Sequence, residues 1–154
     1  MRIVVISDSH GNKWNFYDVI DNEPTAEVFY FLGDGYREYE EIKDVYGGEK
    51  AFIGVLGNCD LGSDLPCRDI RTVGGKKIYA THGFQEKVKF GLWELEHEAR
   101  QNGCDIVLFG HTHQPLSTYS DGLYVFNPGS LRDGFYGVID ITGNGVLCFN
   151  KNIV

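Results

Sequence analysis

Arg2-Ile3-Val4-Val5-Ile6-Ser7-Asp8-Ser9-His10-Gly11-Asn12 is an apolar, β-branched run that stops at a cluster of turn-forming polar residues. The run reads as a buried strand, and the cluster after it as a loop from which a helix can begin. Phe16, Val19 and Ile20 follow at i, i+3, i+4 behind Asn12, so a helix is expected near residues 13–21, with Asn12 as its cap and Pro24 closing it. The same grammar returns twice. Residues 27–32 run into Gly33-Asp34-Gly35 and a short acidic helix at 36–45, and residues 51–56 run into Gly57-Asn58. Successive strand-then-loop units argue for a parallel sheet, whose ligands gather beyond the carboxyl ends of its strands.

Beyond residue 66 the texture changes. Residues 68–73 and 77–81 flank Gly74-Gly75, a hairpin signal, and the second of these strands ends at His82. Val88, Leu92, Leu95 and Ala99 recur at helical spacing, which predicts the longest helix of the chain over 86–102, stopped by Gly103. A strand at 105–109 leads into Gly110-His111-Thr112-His113, and alternating segments follow at 116–120, 123–127, 135–141 and 145–150. Strand–helix units followed by strand-rich sequence predict an α/β fold: a two-sheet sandwich flanked by helices, layered α/β/β/α, over one domain spanning 1–154.

Composition is that of a globular protein, with 42% hydrophobic and 23% charged residues, and 154 residues suffice for a core without staples. The apolar runs at 3–6 and 28–32 are far too short to span a bilayer, and no signal-peptide pattern precedes them. A cytoplasmic protein with no membrane association is expected. Cys59, Cys67, Cys104 and Cys148 form no Cys-x-x-Cys pair and are read as reduced. The net charge of −8 opposes attraction to polyphosphate backbones, so long nucleic acid is disfavoured as a substrate.

Of the five histidines, His10, His82, His111 and His113 all follow predicted strands, as do Asp8, Asp34 and Asn58. Each has a bland reading when taken alone: Asp8 as a helix cap, Asp34 and Asn58 as turn residues, His82 as a satisfied strand-end imidazole. Two imidazoles two residues apart in a glycine-flanked turn have little packing purpose and favour a metal. His97 sits among glutamates on the predicted helix and reads as solvated surface. The mixed nitrogen and oxygen donor set without thiolate suits hard-to-borderline divalent ions.

The order Asp8-x-His10, Gly33-Asp34, Gly57-Asn58, His82-Gly83, Gly110-His111-x-His113 resembles the calcineurin-like metallophosphoesterase superfamily, and the whole chain is similar to its small phosphodiesterase branch. The resemblance implies two divalent ions, manganese first, with nickel, iron, zinc or magnesium as alternatives. It assigns Asp34 as their bridge, Asp8, His10 and His113 to one ion, and Asn58, His82 and His111 to the other. Water held between two such ions is activated as the nucleophile while the ions neutralise the phosphoryl oxygens. The expected activity is hydrolysis of a small phosphodiester or nucleotide. A phosphomonoesterase is the nearest alternative. The superfamily also contains a retromer subunit that uses this fold for protein contacts, so a non-catalytic binding scaffold is a third reading. Branch members often look dimeric, so the resemblance also allows a homodimer.

The chain departs from the wider pattern at Gly57-Asn58-Cys59-Asp60, where a histidine usually follows the asparagine. A thiol is a poorer proton donor near neutral pH than an imidazolium. Slow hydrolysis that favours acidic leaving groups is therefore expected if Cys59 joins Asn58 and His82 in catalysis; the alternative is that Cys59 is a small packed residue. Asp60 either orients a ligand histidine or caps the following turn. Asn127-Pro128-Gly129-Ser130 resembles a segment that lies beside the Gly-His-x-His loop, with Arg132 as a candidate phosphate contact.

Overall fold

The computed structural model describes residues 1–153. Ten strands form two mixed five-stranded sheets, flanked by three helices. The elements run β1 (Arg2–Ile6), α1 (Lys13–Asn22), β2 (Val28–Phe31), α2 (Tyr36–Tyr46), β3 (Ala51–Gly54), β4 (Arg68–Val73), β5 (Lys76–Thr81), α3 (Trp93–Gln101), β6 (Ile106–Leu108), β7 (Leu116–Ser120), β8 (Leu123–Asn127), β9 (Phe135–Thr142) and β10 (Gly145–Asn152). One sheet has the order β10-β9-β1-β2-β3, the other β4-β5-β6-β8-β7. In the first, β1, β2 and β3 are parallel, with Ile3 opposite Val28 and Val28 opposite Ala51. In the second, β5, β6 and β8 are parallel, and β4 and β7 close the edges antiparallel.

Alternation along the strands builds the layers. Ile3, Val5, Tyr30, Ile53, Ile78, Ala80, Ile106, Leu108, Phe126 and Ile139 fill the space between the sheets. The opposite faces of the same strands, through Val4, Ile6, Phe29 and Phe31, pack on Phe16, Val19 and Ile20 of α1 and Tyr39 and Ile42 of α2. Tyr79, Val107 and Val125 pack on Leu95 and Ala99 of α3. Because both faces of the central strands are buried, β1 is apolar from Ile3 to Ile6 rather than alternating. This is the layered α/β/β/α sandwich.

Two expectations need correction. The helix predicted over 86–102 forms only as α3, and at 9 residues it is shorter than the 11-residue α2. Residues 84–92 turn instead: Lys87 has φ +53° and Gly91 φ +144°, neither compatible with a right-handed helix. The Glu86 carboxylate turns inward to accept from Tyr79 Oη (3.0 Å) and Thr81 Oγ1 (3.1 Å). Val88 is buried in the same cluster as Leu95, so its apolar character was real but its period was not. The strands expected at 51–56 and 105–109 are also shorter, although the Val55 N–H still donates to Phe31 O (2.9 Å). Asn12 does cap α1, accepting from the Asn15 N–H at 3.2 Å. All four cysteines are free thiols.

Candidate metal centre

The loops that follow β1, β2, β3, β5, β6 and β8 meet along one edge of the sandwich. Backbone bonds tie them together: the Asp8 N–H donates to Gly33 O (2.9 Å), the His10 N–H to Asp34 O (3.0 Å), and the Gly110 N–H to His82 O (3.0 Å). His82 Nδ1 lies 2.7 Å from Leu32 O and joins one sheet to the other.

Asp8, His10, Asp34, His111 and His113 all adopt left-handed backbone, with φ between 44° and 67°; among the described residues the only other non-glycine cases are Lys87 and Asp121. Each such residue costs roughly 1 kcal/mol or more. The cost is concentrated where it turns side chains toward one point. Asp and His are among the residues that tolerate this region best.

Two sets of donor atoms result. In the first, Asp8 Oδ1 lies 3.1 Å from His113 Nε2 and 3.6 Å from His10 Nε2, and the two imidazole nitrogens are 3.3 Å apart. In the second, Asp34 Oδ2 lies 3.4 Å from His82 Nε2, which is 3.1 Å from His111 Nδ1. Asp34 Oδ2 is also 3.8 Å from His10 Nε2, so it stands between the sets. Each set keeps its candidate ligand atoms within 4.8 Å of one another, and a third combination joins His10, Asp34 and Cys59.

The surroundings of these atoms test whether cations fit. Asp8 is fully buried. Its Oδ2 accepts from Ser7 Oγ (2.5 Å) and the His111 N–H (3.1 Å), while Oδ1 has no hydrogen-bond partner although it faces two imidazoles. A bare buried carboxylate oxygen is costly unless a cation meets it. Asp34 Oδ1 accepts from the Cys59 N–H (2.8 Å), leaving Oδ2 directed at the histidines. The Leu32 carbonyl can only accept, so in neutral His82 the proton sits on Nδ1 and Nε2 offers its lone pair. Four imidazoles and two carboxylates with converging free lone pairs fit divalent cations.

The ionisation of the bare site follows the same geometry. Burial pushes Asp34 up, but the hydrogen bond and charge of His82, with the Cys59 N–H, outweigh it and hold the carboxyl well below the usual range. Burial pushes His82 down, yet Asp34 and Asp8 together raise it above an ordinary imidazole. Burial, His82 and Lys89 lower His111. Burial and the charge of Asp34 raise the Cys59 thiol.

Other sequence-predicted residues fall as follows. Asn58 is exposed, lies 3.5 Å through Nδ2 from Cys59 Sγ, and lines a cleft beside His111. Asp60 makes no hydrogen bond or ion pair with a histidine among the described residues; it caps. Its Oδ2 accepts from the N–H groups of Asp34 (2.8 Å) and Gly57 (2.9 Å), and its Oδ1 from those of Gly35 and Tyr36 (both 2.9 Å). Asn127 Nδ2 donates to Gly110 O (3.1 Å) and Thr112 Oγ1 (3.0 Å), and Ser130 Oγ to Asp8 O (2.9 Å), so that segment does lie beside the Gly-His-x-His loop. Arg132 is exposed and pairs with Asp133 (3.5 Å). His97 stacks on Trp93 of α3, away from this edge. Sequence reasoning missed Ser7, whose hydroxyl leaves only one Asp8 oxygen free, and Leu32, whose carbonyl sets the His82 tautomer.

Glycine lets the loops close. A Cβ at Gly57 would lie 2.2 Å from Asp34 N and Oδ1, and one at Gly33 would lie 2.5 Å from Gly57 N.

A cleft opens on each side of the cluster. One of ≈ 420 Å³ runs past His10, Asp34, Tyr36, Arg37, Cys59 and Leu61. The other, of ≈ 770 Å³, runs past Asn58, Phe84, Lys87, Lys89, Phe90 and His111. No helix among the described residues is long and apolar enough to cross a membrane.

Residues 1–141 match the family model described as the calcineurin-like phosphoesterase superfamily domain. The chain is 30% identical over 133 residues to the probable metallophosphoesterase YsnB of Bacillus subtilis, covering 86% of this chain and 76% of that protein. It is 23% identical over 170 residues to the phosphodiesterase YfcE of Escherichia coli, covering 99% and 86%. In fold it resembles Vps29 of Entamoeba histolytica in complex with zinc, with a TM-score of 0.75, 21% identity and 100% of both chains covered.

Proposed function

The chain belongs to the calcineurin-like phosphoesterase superfamily, and on that premise we propose that it hydrolyses a small phosphodiester with a water activated between two divalent ions. Metal-dependent phosphoester hydrolysis is the activity of the family; the diester, the two ions and the residue roles are our reading. The observation that carries it is the pair of donor sets meeting at Asp34 Oδ2, with 3.4 Å to His82 on one side and 3.8 Å to His10 on the other.

Asp8, His10 and His113 would hold one ion, Asn58, His82 and His111 the other, and Asp34 both, with manganese the first choice and nickel, iron, zinc or magnesium as alternatives. Ions so placed supply the activated water and neutralise charge on the phosphoryl oxygens. The chain's own residues do the rest. Ser7 and the His111 N–H hold Asp8 in one rotamer, and Leu32 keeps the free lone pair of His82 directed into the site. Cys59 Sγ shares a donor set with His10 and Asp34 and lines the cleft beside them, so it would be the proton donor for a leaving group placed there. It is a weak acid for that task, which favours esters with acidic leaving groups.

Two clefts, one on each side of the cluster, support a diester over a monoester, because a diester has two substituents to place. The name of YfcE, a phosphodiesterase, lends the same support. The test is hydrolysis of bis(p-nitrophenyl) phosphate and p-nitrophenyl phosphate by metal-stripped protein, and by the same protein refilled with each ion, with Asp34→Ala as control. Metal-dependent turnover that prefers the diester and vanishes in the control is the expected result. Folded protein that binds two ions and turns over neither ester would instead favour a scaffold, a reading to which the exposed Leu61, Phe84, Phe90 and Trp93 give some support.

A further inference from the structure

The segment between His82 and α3 is built as a presentation loop. Its inward residues anchor it: Val88 is buried and its N–H donates to Gly83 O (3.2 Å), while buried Glu86 is held by Tyr79 and Thr81. Its outward residues are Phe84, 54% exposed, Phe90, 93% exposed, and Lys87 and Lys89. Large exposed rings on a pinned backbone lose little entropy on binding, so they suit a ligand rather than a packing role. Phe84 meets the His111 ring edge-on, with centroids 5.6 Å apart and planes at 89°, so this surface is continuous with the metal centre. Lys87 is tied to Glu94 (3.2 Å). Lys89 makes no hydrogen bond or ion pair among the described residues, in a chain of net charge −8.

We propose that Phe84, Phe90 and Lys89 form the subsite for one arm of the substrate, and that this arm is a nucleoside carrying a second anionic group. The inference rests on the phosphodiesterase reading for the position of the reacting phosphate. The base stacks on the exposed phenyl rings that line the cleft beside His111, the phosphate sits at the donor sets, and the ammonium of Lys89 takes the second anion. Stacking is indifferent to base identity because every base offers a π face, so the subsite selects nucleotides as a class. Arg37, lining the opposite cleft, is left for the other arm.

The test is calorimetric binding to the manganese-loaded full chain of three probes that share a sugar phosphate: ribose 5-phosphate, AMP and adenosine 3′,5′-bisphosphate. AMP is expected to bind about tenfold more tightly than ribose 5-phosphate, and the bisphosphate more tightly still. Phe90→Ala should lower the ratio of AMP to ribose 5-phosphate affinity, Phe84→Ala together with Phe90→Ala should bring it close to one, and Lys89→Ala should remove the further gain of the bisphosphate; all three side chains are exposed, so folding is not at stake. A protein that hydrolyses aryl diesters but binds AMP and ribose 5-phosphate alike overturns the subsite and leaves the phosphodiesterase reading intact. A protein with no turnover that keeps a Phe90-dependent preference for AMP overturns that reading and keeps the subsite. Equal affinities that Phe90→Ala does not alter would overturn the proposal.

Discussion

Asp60 offers the most quantitative test of how this site is built. Its carboxylate collects four backbone N–H groups from two loops, at 2.8 to 2.9 Å, and stands at the N-terminus of α2, where Gly35 supplies no side-chain cap. In Asp60→Ala the N–H groups of Asp34 and Gly57, both in buried bonds, lose their acceptor at about 1–2 kcal/mol each. The Gly35 and Tyr36 donors are only part-buried and water can reach them, so the helix end loses about 0.5 kcal/mol through its dipole. The expected loss is therefore about 3 kcal/mol, read as a lower urea midpoint with an unchanged slope. Asp60→Asn should not rescue it. One amide oxygen can serve Gly35 and Tyr36, but the NH₂ then faces two buried N–H donors. Since the Asp34 loop is held by this carboxylate, metal stoichiometry should fall in both variants. An Asp60→Asn protein within about 0.5 kcal/mol of the wild type, binding its full complement of metal, would refute the reasoning.

Gly57→Ala, with its Cβ 2.2 Å from Asp34 N and Oδ1, should lose metal binding and cost about 1–3 kcal/mol in overpacking; elemental analysis and thermal unfolding check both. Cys59→His should raise turnover of diesters with poor leaving groups more than of aryl diesters, and unchanged rates on the poor leaving groups would count against Cys59 as the weak proton donor. Asp140 is held below the usual carboxylate range chiefly by its hydrogen bonds to Arg2 (both 2.8 Å). A depressed folded-state pKa means that its contribution is present above the unfolded value, near about 4, and is lost as pH falls through the folded one. Arg2→Met should therefore lower stability at neutral pH and flatten the acid side of the stability curve, measured by urea unfolding between pH 2 and 7.

Much of the fold was legible because the strands of this sandwich are bounded by glycine, aspartate and asparagine. The apolar runs at 3–6, 28–32 and 51–56 end where turn residues begin, and a parallel sheet buried on both faces leaves long apolar runs that need no partner to be recognised. The helix expected at 86–102 lost its first part for a tertiary reason. Glu86 and Val88 are fixed by Tyr79, Thr81 and Gly83, contacts from another strand that override local helical periodicity.

Local sequence is enough to place these side chains at strand ends, since each of Asp8, His10, Asp34, Asn58, His82, His111 and His113 follows an apolar run or its turn. How they divide into two sets depends on long-range packing. Asp8 and His113 come from loops of different sheets more than a hundred residues apart, yet lie 3.1 Å from each other, and local spacing carries no information about such a pair. The same holds for the oxygen that Ser7 leaves bare on Asp8, the lone pair that Leu32 directs from His82, and the backbone donors that Asp60 gathers. Those are consequences of which loops meet at one edge, and that meeting is set by the packing of two sheets through side chains far from the site.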